Sequence, residues 1–450
     1  MSEQYHLSGS TAASIAASIE DGIVSGTLAP GELLPPIRSL AAALGVSAGT
    51  VAAAYRLAGQ RGLTLSDRRR GTRIRPWRRE GGGPPTAATA PVSATPPVSP
   101  TAVRDLASGT PDPRLLPPVA ELLAGLDYRP GSYGSPVIAP GLAEVARRQL
   151  NADHVPAEQL GCTSGALDAM SRLLATFLHP GDRVAVEDPG WPALIDLLGT
   201  LGLRAVPVAL DDDGPLPDAL WQALAGGARA VVVTSRAQNP TGAALDRTRA
   251  DELAAVLERY PGVVTIEDDH GHLVTDRVLH PLSGEGRRLP GPWAFVRSAA
   301  KGCGPDLRVA VVTGDAATLQ RLEASLAAGP GWVSYLLQEL VAAAWTRART
   351  TTTAAATYDL RRRALLEALQ HLGTASLGRS GLNVWVPVAD ETAAASGLLS
   401  AGWRVAPGRP FRLASAPGIR ITTASLEPAD APALAAAVAE LAGGAPKTRY

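Results

Sequence analysis

Residues 81–103 contain six prolines and three consecutive glycines but no charged or aromatic side chain. A stretch of that composition cannot build a core, and its prolines predict an extended, semi-rigid spacer. The 450 residues are therefore split into a first module of about 80 residues and a body of about 345, each long enough to fold around its own core.

Charge divides at the same place. The chain as a whole is neutral, with 42 basic and 42 acidic residues, yet the first 79 residues carry ten Arg against Glu3, Glu20, Asp21, Glu32 and Asp67. A basic module on a neutral chain points to nucleic acid at one end and a different ligand at the other. A hydrophobic share of 46% with 19% charged describes a globular protein rather than a fibrous or disordered one. No run of 18 or more apolar residues occurs, and Met1–Ser10 lacks the basic and apolar regions of a secretory signal, so a cytoplasmic protein with no membrane partner is expected. Cys162 and Cys303 are too few for a disulfide framework or a four-ligand zinc site, which fits a reducing compartment.

In the first module, Thr11–Val24 places Ile15, Ile19 and Ile23 at helical spacing and closes at Ser25 and Gly26. Pro35 and Pro36 precede a second helix over Ile37–Leu44, which stops at Gly45. Ser47 is set to cap a third helix whose apolar face carries Val51, Ala54, Tyr55 and Ala58. Two short helices meeting at a Gly-Val-Ser turn predict a helix-turn-helix. Gly62–Leu65 and Arg73–Ile74 predict strands flanking a hairpin tip that bears Arg68, Arg69 and Arg70.

The segment GTLAPGELLPPIRSLAAALGVSAGTVAAAYRLAGQRGLTLSDRRRGTRIR resembles the GntR family of winged helix-turn-helix transcription factors over essentially the whole module. That resemblance implies that Arg38, Ser47, Thr50 and Tyr55 lie at the DNA face, with Arg68, Arg69, Arg70 and Thr72 on the wing. Arg contacts to phosphate would supply salt-dependent affinity, and recognition-helix side chains would read base edges. The chain departs from the family at Ala48, where Arg is usual.

Of the 42 basic residues only Lys301 and Lys447 are lysine. Lys447 lies in the last four residues, whereas Lys301 sits mid-chain between an apolar run and Gly302. Arg cannot act as a nucleophilic amine because its guanidinium stays protonated, while a Lys amine can form an imine with an aldehyde. Lys301 reads as a residue kept for its amine.

From Leu106 onward, short apolar runs alternate with helical patterns. Strands are predicted at Arg183–Val186, Arg204–Ala209, Ala228–Thr234, Val263–Ile266, Ala294–Arg297 and Arg308–Thr313. Strands interleaved with helices predict an α/β body with a largely parallel sheet, whose ligands bind at the carboxyl ends of strands. The polar signatures fall there: Glu267-Asp268-Asp269-His270, Asn239-Pro240-Thr241-Gly242, Ser298 through Lys301 with Arg308 beyond, and Gly165-Ala166 opening a helix near Leu167. Each has a task if the ligand is pyridoxal 5'-phosphate. Lys301 would form the internal aldimine, and a carboxylate would pair with the pyridinium nitrogen and keep the ring an electron sink. Asn239 would donate to the ring oxygen, and the amides of Gly165 and Ala166, with Ser298 and Arg308, would hold the phosphate at a helix N-terminus. No metal-ligand spacing, phosphate-loop motif or nucleophile elbow occurs in the sequence.

This set, with HPGDRVAVEDPGW, NPTG and GIRITTASL, resembles the fold-type I aminotransferases across roughly residues 106–443. A winged helix joined to such a body is similar to the MocR subfamily of GntR regulators. The resemblance implies that Trp191 stacks on the pyridine ring, that Asp268 is the pyridinium partner with Asp269 competing for the role, and that Arg420 clamps a carboxylate. It also implies a head-to-tail homodimer in which Tyr133 reaches the phosphate across the interface. The chain departs from the family at His270, where Tyr is usual, and at Ala299 and Ala300, which replace small hydroxyl residues. A neutral His270 could still donate to the ring oxygen.

The expected organisation is a winged helix-turn-helix over residues 1–79, a linker over 80–104, and an aminotransferase-like domain over 105–450 with a large part at about 140–330 and a small part at about 345–450. The expected function is a transcriptional regulator that binds a double-stranded DNA operator and senses an amino compound by external aldimine formation. Alternatives are a working aminotransferase with an accessory DNA module and a regulator that senses the cofactor itself.

Overall fold

A computed structural model of the chain describes residues 7–25, 27–29, 31–60, 63–67, 71–74, 103–284, 286–348 and 353–442. The chain forms two compact units, each with a core of its own.

The first unit holds α1 (Ala12–Val24), α2 (Ile37–Leu44), α3 (Ala48–Gln60), β1 (Thr64–Asp67) and β2 (Gly71–Ile74). Thr11 and Ser14 cap α1 reciprocally: Thr11 Oγ1 accepts from Ser14 N at 3.2 Å and Ser14 Oγ accepts from Thr11 N at 3.0 Å. Gly45 ends α2 in the left-handed conformation at φ +65°. Ser47 Oγ then accepts from Thr50 N at 3.0 Å and starts α3. Ile15, Ile19 and Ile23 pack against Val51, Ala54, Ala58 and Ile74. The wing strands pair antiparallel from Thr64 with Ile74 to Asp67 with Gly71. The first wing strand therefore begins two residues later than expected and runs on to Asp67, because each of its residues finds a partner on β2. Arg68, Arg69 and Arg70 lie outside the described residues.

Tyr55 requires a correction. It is 4% exposed within this core, and its hydroxyl donates to Pro35 O at 2.7 Å. The apolar face of α3 claims the ring, so Tyr55 ties α3 to the start of α2 and is not at the DNA face.

The body opens with β3 (Arg104–Asp105), α4 (Val119–Ala124) and α5 (Pro140–Ala152). There follow β4 (Gly161–Thr163), α6 (Ala166–Phe177), β5 (Arg183–Asp188), α7 (Pro192–Thr200), β6 (Arg204–Asp211), β7 (Gly214–Pro215), α8 (Pro217–Ala225) and β8 (Ala228–Thr234). The layer is completed by α9 (Arg247–Glu258), β9 (Val264–Asp269), β10 (Trp293–Ser298), α10 (Ala300–Cys303), β11 (Ala310–Gly314) and α11 (Ala316–Ala327). Helices α12 (Tyr335–Ala348) and α13 (Thr353–His371) lead into a smaller part with β12 (Asn383–Pro387), α14 (Glu391–Ser400), β13 (Trp403–Arg404), β14 (Ala406–Pro407), β15 (Gly418–Thr422) and α15 (Ala431–Ala442).

The main sheet has the order β4-β11-β10-β9-β8-β5-β6-β7. It is parallel from β10 through β9 and β8 to β5, and antiparallel where β11 meets β10 and β4. Of the six predicted body strands only Ala228–Thr234 keeps both ends: Arg183–Val186 runs on to Asp188, Arg204–Ala209 to Asp211, and Ala294–Arg297 gains Trp293 and Ser298. The Val263–Ile266 run continues as β9 through Asp269, since Glu267 and Asp268 register with Val233 and Thr234 on β8 and with Phe295 and Val296 on β10. The Arg308–Thr313 run begins only at Ala310. In the smaller part β15 lies between β12 and β14, and Val384, Val386, Ile419, Ile421 and Leu434 form its core. Complete burial of an aliphatic side chain of this kind contributes about 1.5–3 kcal/mol. Among the described residues no single helix is long and apolar enough to cross a membrane.

Candidate functional site

The carboxyl ends of β5, β8, β9 and β10 and the start of α6 converge on a cavity of about 210 Å³. Trp191, Asn239, Asp268, His270, Ser298, Lys301 and Arg308, all predicted from sequence, line it together with Ala166. Gly165 is the residue that caps α6 beside it.

Lys301 stands on α10, directly after β10, and its Nζ donates to the carbonyl oxygen of Gly109. Burial, with Arg420 nearby, lowers its pKa to about 8, against the pull of Asp268. At pH 7 roughly one amine in ten is then unprotonated, far more than for an ordinary lysine, so the group is poised as a nucleophile.

The two carboxylates of β9 separate cleanly, because successive strand residues face opposite sides of a sheet. Asp269 is fully buried on the far side, where Arg236 Nε donates to Oδ1 at 2.7 Å and Arg297 Nε to Oδ2 at 2.8 Å. Burial alone would raise its pKa, but the two guanidinium groups hold it well below the usual carboxylate range. Arg297 also reaches Asp153 at 2.6 Å. Asp268 faces the cavity instead. Its Oδ2 lies 2.8 Å from His270 Nδ1, while its buried Oδ1 has no hydrogen-bond partner among the described residues.

At one end of the cavity Arg420, on the central strand of the small sheet, stands behind the lining residues Asn239 and Gly109 rather than in the lining itself. Its Nη1 donates to Asn239 Oδ1 at 3.0 Å and its Nη2 to the carbonyl of Ala107. This leaves the Asn239 amide nitrogen as that side chain's free donor. Burial lowers the Arg420 pKa to about 10, with Asp105 acting in the opposite direction. At the other end Gly165 has φ +91°, and a Cβ there would stand 2.5 Å from Arg308 Nη2. Glycine thus lets the guanidinium approach the N-terminus of α6, where unbonded amides and the helix dipole favour an anion. Arg308 itself makes no ion pair among the described residues.

Tyr133 is the predicted cofactor residue that this chain does not bring to its own cavity. It is 93% exposed and packs edge-on against Trp332, with ring centroids 5.6 Å apart. In the first unit Arg38 and Ser47 are exposed and Thr50 and Thr72 half-buried, with the Ser47 hydroxyl engaged in capping α3.

Sequence reasoning missed two groups. Ala107 and Gly109 present carbonyls to Arg420 and Lys301; the turn-forming run Ser108-Gly109-Thr110-Pro111 just after β3 was the available signal. The partners Arg236 and Arg297 of Asp269, and Asp153 which pairs with both arginines, carried no motif at all.

The family description of aminotransferase class I and II matches residues 129–438, and that of bacterial regulatory proteins of the gntR family matches residues 11–74. The vitamin B6 salvage pathway transcriptional repressor PtsJ of Salmonella typhimurium is 40% identical over 441 residues, spanning 96% of this chain and 98% of that protein. The chain belongs to the MocR-type regulators of the GntR family. The HTH-type pyridoxine biosynthesis transcriptional regulator PdxR of Corynebacterium glutamicum is 33% identical over 260 residues, 55% of this MocR-type chain and 53% of that protein. The fold of the body is that of the α-aminoadipate aminotransferase LysN from Thermus thermophilus, with a TM-score of 0.65 at 22% identity over 76% of this chain and 92% of that one. As a MocR-type regulator the chain is a DNA-binding transcriptional regulator whose body is built for pyridoxal 5'-phosphate. The residues present fit that cofactor. The unpartnered Oδ1 of Asp268 suits a ring N–H, and the cleft at Gly165 and Arg308 suits a phosphate.

Proposed function

We propose that this protein represses or activates genes of vitamin B6 metabolism by holding pyridoxal 5'-phosphate in its body and reading a carboxylate-bearing amine there. The observation that carries the reading is that an amine of lowered basicity, Lys301, lines the cavity within electrostatic reach of a buried guanidinium, Arg420. The names of PtsJ and PdxR supply the connection to vitamin B6.

The cofactor, when bound, supplies an aldehyde and a conjugated ring. With the cofactor in place, Lys301 would engage the aldehyde, Asp268 would hold the ring through Oδ1, Asn239 would donate to the ring oxygen, and Trp191 would lie against the ring. Gly165, Ala166, Ser298 and Arg308 hold the phosphate. An incoming amine would compete with Lys301, and its carboxylate would take up Arg420 in a bidentate pair in place of the Ala107 and Asn239 contacts. Tyr133, exposed beside Trp332, is presented to the phosphate site of a second copy in a head-to-tail homodimer.

DNA is held by residues 1–79 through Arg38, Ser47, Thr50 and the wing with Thr72, Arg68, Arg69 and Arg70. Residues 80–104 tether this module to the reading body of residues 105–450, and the protein works in the cytoplasm. The amine shifts DNA affinity only to the extent that it binds the two arrangements of the dimer differently.

A second reading, in which the cofactor is itself the signal, is favoured by the vitamin B6 roles in the names of both relatives. DNA binding to the protein's own upstream region, measured with no ligand, with cofactor, and with cofactor plus each of a panel of amino acids, separates the two. An amino acid that changes affinity beyond the effect of cofactor supports the first. A full response to cofactor alone supports the second. Amination of keto acids at ordinary enzymatic rates with no change in DNA affinity overturns both in favour of an aminotransferase.

A further inference from the structure

His270 directly follows β9 and turns its ring back onto the strand. Its Nδ1 lies 2.8 Å from Asp268 Oδ2, and its Nε2 lies 2.8 Å from the carbonyl oxygen of Ala237. A carbonyl oxygen and an ionised carboxylate only accept hydrogen bonds, and a neutral imidazole has a single N–H. Both contacts are satisfied together only when both ring nitrogens carry protons, that is, when His270 is an imidazolium paired with Asp268. Both nitrogens being engaged, the ring is not free to donate to a ligand oxygen in the cavity.

Asp268 is therefore asked to serve two partners. Its Oδ2 belongs to His270, and its Oδ1 is the buried, unpartnered atom that faces the cavity. We propose that His270 is a positioning residue for the cofactor: it fixes the Asp268 carboxylate and competes for its charge, so that affinity for the ring falls as His270 takes up a proton. This rests on the cofactor reading above.

The sign follows from the charges. The groups that face His270 are Asp268 on β9 and Lys301 on α10, with the Ala237 carbonyl on the segment after β8. Arg308 lines the far end of the same cavity. Burial disfavours the charged ring and Lys301 adds to this, but Asp268 and the Ala237 carbonyl outweigh them and carry the pKa above the ordinary histidine value. On the acid side of that titration two cations, the imidazolium and a protonated ring nitrogen, lean on one carboxylate. On the alkaline side the carboxylate serves the ring nitrogen alone.

The test is the dissociation constant of pyridoxal 5'-phosphate for the full chain between pH 6 and 9, measured by absorbance at fixed ionic strength. Wild type is compared with His270→Asn, which keeps a donor near the Nδ1 position without titrating, and with His270→Phe, which removes both contacts. Titrations shared by all forms, such as those of Lys301 and the phosphate, cancel in the ratio of wild type to variant. The expected result is that the ratio of wild-type to His270→Asn dissociation constants falls about fivefold or more from acid to alkaline pH. A merely structural role would change affinity by the same factor throughout, and a flat ratio overturns the proposal. Should His270→Asn fail to fold, His270→Phe gives the same ratio test. Labelled-histidine NMR is the reciprocal measurement: bound cofactor must lower the His270 pKa, and an unchanged or raised value also overturns it. Failure of wild type to bind at any pH removes the cofactor reading itself, which is distinct from binding with a flat ratio.

Discussion

Asp268 and Asp269 are consecutive on β9, yet Asp269 is gripped by Arg236 and Arg297 at 2.7 and 2.8 Å while Oδ1 of Asp268 has no partner among the described residues. One holds the sheet together and the other faces the ligand cavity. Replacing Asp269 with Asn leaves two buried guanidinium groups undercompensated and should cost about 3–5 kcal/mol, read by denaturant unfolding. Asp268→Asn should cost far less stability and instead weaken cofactor binding. Because the Asp269 pKa is lowered in the folded protein, its contribution is present above the unfolded carboxylate pKa, near pH 4, and is lost as pH falls toward the folded value.

How far the sequence could be read depended on which physical signal each part carried. The body strands were legible because their apolar runs are bounded by turn residues, and Ala228–Thr234 has the predicted bounds. The end of β9 was not legible, since three consecutive acidic residues look like a strand terminus until pairing on both sides is known. That hid the alternation which separates Asp268 from Asp269. Tyr55 sat on the apolar face of α3 by spacing and on the DNA face by resemblance, and packing decided for the core. β4, three residues with little apolar periodicity, gave no signal.

Lys301→Ala should abolish the absorbance band near about 420 nm expected of a lysine-bound cofactor and leave no cofactor fixed by borohydride; a reducible adduct in the variant would contradict the assignment. In wild type the lysine pKa is lowered to about 8, chiefly by burial. The free amine is the reactive form, so the rate of cofactor capture should rise with pH up to about 8 and level off above. Stopped-flow absorbance at a series of pH values checks this.

Gly165→Ala puts a Cβ where Arg308 Nη2 lies 2.5 Å away, at a backbone φ of +91° that a side chain rarely adopts. The cost is on the order of 1–3 kcal/mol in strain together with a displaced guanidinium. Affinity for pyridoxal 5'-phosphate should drop about tenfold or more, while affinity for pyridoxal without its phosphate should change little. Equal losses for both ligands would remove the phosphate from that end of the cavity.

Replacing Arg68, Arg69 and Arg70 together with Ala should weaken binding to all DNA sequences alike and lower the slope of log affinity against log salt by roughly one to three units. Fluorescence anisotropy on specific and unrelated duplexes over a range of salt measures both. An unchanged slope would take the wing off the DNA backbone.

The central claim is that occupancy of the cavity lined by Lys301, with Arg420 behind it, changes what the winged helix does on DNA. The most direct measurement is the affinity of the cofactor-loaded protein for its own upstream DNA at fixed salt, with and without carboxylate-bearing amines, in wild type and in Arg420→Gln. The account predicts that at least one such amine shifts wild-type affinity about tenfold and that Arg420→Gln loses this response while still binding DNA. DNA affinity indifferent to every amine, or a response that survives in Arg420→Gln, would contradict it.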